Sequence, residues 1–188
     1  MAEFTLYNSE NAPEASKPFL EKSVKAFGMI PNLHAVMAEA PGLLDGYQQL
    51  HQLAQESAFT TEELTVVWQA INVEHGCHYC VPAHTAIAHS SKVDGEVIEA
   101  LRNETPLPNA KLEALRDFTL KLTRQRGVVS PEEVQTFLSA GFTNRHILDT
   151  ILVLSQKVMS NYVNHVANTP LDKPFQKFDW EKKATVTV

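Results

Sequence analysis

Two cysteines in 188 residues cannot build a disulfide scaffold, and a chain of this length needs none. A single domain of this size buries roughly 70% of the surface its unfolded form exposes. Long apolar runs are missing as well. They stop at four residues, as in "ILVL" (151–154), against the roughly 20 that a membrane-spanning helix needs. Basic clusters are confined to "KLTRQR" (121–126) and the "EKK" near the end, in a chain of net charge −6. Both stretches read as solvated surface, which argues against a phosphate-binding face and a nucleic-acid partner. There is no Gly-rich loop to cradle a nucleotide, no repeat, and no segment of strand period. The opening "MAEFTLYNSENAPEAS" carries three Glu and no basic apolar leader, so no signal peptide is expected. The expectation is a soluble, cytoplasmic protein that engages neither nucleic acid nor membrane.

What is present is helical periodicity almost throughout. "EASKPFLEKSVKAFG" places Phe19, Leu20, Val24 and Phe27 on one face and stops at Gly28. Pro31 opens a short helix through "NLHAVMAEA", and the next segment repeats Leu43, Tyr47, Leu50 and Leu53. Thr60 and Glu63 have capping-box spacing, and the helix they open carries Leu64, Val67, Trp68 and Ile71. "DGEVIEALRN" and "NAKLEALRDFTLKLTRQRG" are amphipathic. Ser130, Pro131, Glu133 and Gly141 punctuate a further helix as cap, first turn and stop. The run from Thr143 to Asn168 is apolar nearly all round at 151–154 and is expected to be the buried central helix. The fold class is all-α: a single helical domain over 16–170, preceded by an extension over 1–15. A charged, aromatic tail over 171–188, with Phe175, Phe178 and Trp180, is expected to be loose or laid across a neighbouring subunit.

Both cysteines fall in "EHGCHYCVPAHTAIAH" (74–89). Pro82 costs little only in the first turn of a helix, and Gly76 suits a helix stop. A break at Gly76 with a new helix from about 77–79 therefore puts both sulfurs at a helix N-terminus. There, amides and a neighbouring imidazolium favour the reactive thiolate. His84 lies one turn after Cys80 and can take its proton or pair with it. Cys77 and Cys80 can close a disulfide within one turn, and Glu74 is placed to polarise His84. The pair admits three chemistries: a redox centre, a metal site, or inert buried thiols. His75, His78, His84 and His89 give the metal reading substance, but two ligand pairs crowded onto one helix start close a tetrahedron poorly.

"CHYCVPAH", with the preceding "INVEHG", resembles the core of the carboxymuconolactone decarboxylase and alkyl hydroperoxidase D superfamily, whose members carry CxxCxxxH on an all-α fold. "FGMIPNLHAVMAEAPGLLDGY" and "SAGFTNRHILDTILVLSQKVMSNYVNHVANTPLD" resemble the N-terminal helices and last core helix of its peroxidase-related branch, so the likeness spans most of 20–172. The resemblance implies that Cys80 attacks peroxide, Cys77 is its disulfide partner, and His84 belongs to a proton relay. It also implies homo-oligomers, as trimers or hexamers. The relay glutamate about a dozen residues before the first cysteine is replaced here by Thr65, leaving Glu74, Glu63 or Glu62 to serve, or none. The decarboxylase branch does not depend on a cysteine pair, so the intact CxxC argues against decarboxylation. Asn161, Asn164 and His165 in "NYVNH" line a pocket or, as favoured here, serve as helix-capping or interface residues. The expected function is a thiol peroxidase that reduces a hydroperoxide and is restored by a dithiol reductant, with no metal, haem or flavin. The alternatives are a non-catalytic redox-responsive or ligand-binding module and, more weakly, a zinc-binding interaction protein or a decarboxylase-like enzyme.

Overall fold

A computed structural model describes residues 3–182; the first two residues of the extension and the last six of the tail lie outside the described residues. Among them are nine α-helices and no strand: α1 (Lys17–Phe27), α2 (Asn32–Met37), α3 (Pro41–Gln55), α4 (Thr61–Glu74), α5 (Cys80–Ser90), α6 (Gly95–Asn103), α7 (Ala110–Arg124), α8 (Pro131–Ser139) and α9 (Asn144–Ala167). Short 3₁₀ turns at Glu14–Ser16 and Lys173–Phe178 flank them.

Local chemistry sets most boundaries. The Thr60 and Ser130 hydroxyls accept from the amides of Glu63 and Glu133, whose carboxylates accept back from the cap amides. Thr143 and His146 form a third such box, with an imidazole in place of the carboxylate. Gly28 ends α1 in the left-handed region.

The central helix is α4, not α9. Every residue from Glu63 to Val73 is buried, because α4 packs against α5, α6, α7 and α9. Apart from its first turn and last residue it presents no face to solvent. The longer α9 is buried on one side only, leaving Leu148, Ile151, Tyr162 and Val166 exposed. Two further faces differ from expectation. In α3 the buried line is Leu44, Tyr47 and Ala54, with the mostly enclosed His51 between them, while Leu53 is exposed. A histidine on the core face broke the apolar period there. In α1 Val24 and Phe27 are exposed, and buried Ser23 takes their place, hydrogen-bonded to His34 and Gln48.

Two apolar clusters divide the interior. One joins α4, α6, α7 and α8 around Ile71, Leu115, Phe118 and Phe137. The other gathers α1, α2 and α3 around both cysteines. The tail lies across its own chain. Phe178 stacks on His89, Phe175 meets Tyr79 edge-on, and Arg102 donates to the carbonyls of Phe178 and Asp179.

Candidate active site

The junction of α4 and α5 fixes both sulfurs. Gly76, with φ of 63°, ends α4 in the left-handed conformation, which costs glycine least. The Gly76 amide donates to the Val73 carbonyl and the Cys77 amide to that of Asn72, each at 3.0 Å. These two bonds form a Schellman closure, and they hold Cys77 in the turn. Helix α5 starts at Cys80, with Pro82 in its first turn, where no intrahelical amide bond is lost. Cys77 is fully buried, Cys80 is 2% exposed, and both are free thiols. The Cys80 amide donates to the Cys77 sulfur at 3.3 Å.

The opposing wall comes from α9. Lys157, Asn161 and Asn164 recur at helical spacing on its inner face, and all three are fully buried. The Asn164 side-chain amide donates to the Cys80 sulfur at 3.2 Å and lies 3.9 Å from that of Cys77. Asn161 is oriented by two neighbours: its Oδ1 meets His75 Nδ1 at 2.8 Å and its Nδ2 donates to Asn72 at 3.0 Å. Lys157 Nζ lies 2.9 Å from His84 Nε2. Among the described residues no carboxylate pairs with this lysine. Its compensating charge is that of the thiols.

These contacts separate two thiols of identical chemistry. Burial opposes ionisation of Cys80, but the Cys77 S–H, the Lys157 charge and the amides of Asn161 and Asn164 outweigh it and draw the thiol down to about 5. Cys77 is pushed up, chiefly because its proton is held on Cys80 and then by burial. The resting pair is therefore one thiolate and one thiol. Lys157 is lowered by burial and raised by the thiolate beside it. His84 is held well below the ordinary imidazole range by burial, then by Lys157 and His51. His51 is lowered to about 4 for the same first two causes, burial and the Lys157 charge. The site thus holds one ion pair among neutral rings.

Neutral His84 must accept from the lysine through Nε2, which leaves its ring proton on Nδ1. Nδ1 has no hydrogen-bond partner among the described residues, and neither has Asn164 Oδ1. The two residues that meet Lys157 and the Cys80 sulfur, His84 and Asn164, thus carry an orphaned donor and an orphaned acceptor. Trp68 packs 4.8 Å from the His84 ring and donates to Gln156, which in turn meets His51.

The structure brings Cys77, Cys80 and His84 together. It does not bring Glu74 to them: that carboxylate is bound at both oxygens by Arg124, at 2.8 and 2.7 Å. Glu63 pairs with Lys111 and caps α4, while Glu62 is half-buried in the first turn of that helix. Thr65 donates to the carbonyl of Thr61. The four histidines near the motif disperse: His75 to Asn161, His78 to the Thr169 carbonyl, His84 to Lys157 and His89 to Phe178. Among the described residues no three His, Cys, Asp or Glu side chains converge as metal ligands. Asn161 and Asn164 line the site, against the capping reading, and His165 faces solvent. Lys157 was not singled out from sequence; its only signal there is a lysine one turn before the paired asparagines.

No family profile matches the chain, and no curated protein matches it either. Solved structures do. An alkylhydroperoxidase AhpD core, an uncharacterized peroxidase-related protein from Ralstonia eutropha, aligns with a TM-score of 0.80 at 19% identity, over 93% of this chain and 96% of its own. An uncharacterized peroxidase-related protein from a Silicibacter species gives 0.76 at 22%, over 93% and 95%. This chain has the AhpD-like fold. The debrominase Bmp8, as a cysteine-to-alanine variant in complex with 2,3,4-tribromopyrrole, shares that AhpD-like fold with a TM-score of 0.76 at 15% identity, over 94% and 95%. The AhpD-like neighbours thus include an enzyme, and at these identities the likeness carries the fold alone.

Proposed function

We propose that this protein is a thiol peroxidase in which Cys80 attacks a hydroperoxide and Cys77 resolves the product. The observation that supports this reading best is the asymmetry of the pair: the Asn164 amide donates to the Cys80 sulfur at 3.2 Å and stands 3.9 Å from that of Cys77, which favours the thiolate on Cys80 and the proton on Cys77. The Cys80 thiolate bonds to the terminal oxygen as the O–O bond breaks, giving a sulfenic acid and an alkoxide that takes up a proton to leave as the alcohol. The Cys77 thiol condenses with the sulfenic acid, releasing water and leaving a disulfide. A dithiol reductant restores both thiols by exchange. A Cys80 only 2% exposed favours small, neutral hydroperoxides over bulky ones.

Counting thiols by mass before and after one equivalent of an organic hydroperoxide tests this. Loss of both thiols with two hydrogens, faster than for a free thiol, is the expected result. Unchanged thiols refute it. A disulfide that forms and reopens without turnover over peroxide would instead support a redox-responsive module.

The debrominase neighbour favours a second reading with the same residues. The Cys80 thiolate would take a halogen from an electron-rich ring, the ring would gain a proton, and Cys77 would displace halide to form the same disulfide. Bromide release from a brominated pyrrole, with thiols inert to peroxide, would select it.

A further inference from the structure

The site has a proton donor in the wrong place for its obvious role. A base for Cys80 would need a free lone pair facing the sulfur. His84 instead turns Nε2 to Lys157 at 2.9 Å and keeps its proton on Nδ1, which no residue accepts. Among the described residues no carboxylate meets Lys157, which is fully buried, so its charge is tolerated only while Cys80 is a thiolate. Attack on a peroxide removes that thiolate and creates an alkoxide. An unpaired ammonium would then be stranded next to the strongest base in the site.

The geometry points to Lys157 as the proton source for the leaving oxygen, delivered through the His84 ring. The inference rests on the peroxidase reading above. His84 Nδ1–H passes its proton to the leaving alkoxide as Nε2 takes one from the Lys157 ammonium. The products are the alcohol, a sulfenic acid at Cys80, a neutral amine at Lys157 and His84 in its other neutral tautomer. One anion and one cation are consumed, and no unpaired charge exists in the interior at any stage. The groups that face Lys157 permit this: His84 and Cys80 from α5, Cys77 from the turn and His51 from α3, with the Tyr47 phenol of α3 beside the thiols. Burial keeps His51 neutral, and burial with the Cys80 charge keeps the Tyr47 phenol protonated. None competes for the proton.

The test compares two reactions of Cys80 in the full chain. Hydrogen peroxide and tert-butyl hydroperoxide expel an oxygen anion that needs a proton, whereas iodoacetamide expels iodide, which does not. Single-turnover rates for both are measured in wild type, Lys157→Arg and Lys157→Met, each corrected for the thiolate fraction read from ultraviolet absorbance. Arginine keeps the positive charge but does not give up its proton. Lys157→Arg is therefore expected to alkylate within about threefold of wild type yet lose about 100-fold on peroxide, the lower end of what a general acid contributes. Lys157→Met, of similar volume, is expected to show the same split after correction, and it decides the matter if the bulkier arginine does not fold. A parallel fall in both reactions overturns the proton-source role and leaves the peroxidase reading standing. A wild type that alkylates but ignores both peroxides overturns the peroxidase reading and this inference with it.

Discussion

Removing the Asn164 amide isolates one of the forces that ionise Cys80. Asn164→Leu deletes a buried N–H···S contact of 3.2 Å and leaves no new polar atom unsatisfied, since the amide oxygen has no partner to strand. A hydrogen bond to a charged acceptor contributes about 1.5–3 kcal/mol. At about 1.4 kcal/mol per pKa unit, its loss raises the thiol by about 1 to 2 units. Starting from about 5, Cys80 then titrates near pH 6 to 7. At pH 6 the thiolate fraction falls from about nine-tenths to between about one-half and one-tenth, so peroxide reactivity drops roughly two- to tenfold. The sign follows from the acid: a raised thiol pKa moves the fall in activity to higher pH, and reactivity recovers above about pH 8. The assay is thiolate absorbance against pH, paired with thiol-loss rates over the same range. Asn164→Asp is a second arm, because a carboxylate beside the thiolate raises Cys80 further. A titration for Asn164→Leu within about 0.3 units of wild type, in a folded protein, would refute the assignment of the contact.

Three further perturbations separate framework from chemistry. Glu74→Gln loses its two-point pairing to a half-exposed arginine and is expected to cost less than about 1 kcal/mol in urea unfolding, with peroxide rates within about twofold. A loss of about tenfold or more would place Glu74 in the relay after all. Gly76→Ala forces a methyl-bearing residue into φ of 63°, with only an ordinary contact to Lys182. Its expected cost is about 1–2 kcal/mol from backbone strain, read by thermal melting. Phe137→Ala empties the centre of a stack that touches Phe118 at 4.2 Å and Phe142 at 4.5 Å. It should cost about 3–5 kcal/mol in denaturant while leaving the Cys80 titration unmoved, and a shifted titration would show that the two clusters are coupled.

What was legible in the sequence is what neighbouring residues decide among themselves. The capping boxes at Thr60 and Ser130, the break at Gly76 and the first-turn Pro82 are each settled within a few positions, and so was the nearness of Cys77 to Cys80. The α3 register was not, because His51 occupies a core position that the apolar pattern credits to Leu50 or Leu53. The centrality of α4 was hidden by Glu63, Gln69 and Asn72, polar residues whose burial depends on partners elsewhere. Lys157 was the least legible of all. A lysine in a helix ordinarily extends to water, and only residues 73 and 84 positions away, His84 from Lys157 and Cys80 from Asn164, reveal why this face of α9 turns inward.

The motif alone would not have told the two sulfurs apart. Cys80 opens α5 and Cys77 lies in the turn just before it, close enough to the helix start for amide dipoles to favour a thiolate on either. The difference is made by α9. Asn164 stands closer to Cys80 than to Cys77 and Asn161 adds its weight to the same sulfur, while the Lys157 charge draws on both. Once Cys80 is the anion, Cys77 is bound to keep its proton, because a second thiolate would repel the first in a site with one cation. The assignment of attacking and resolving thiol is therefore a property of the α5–α9 contact.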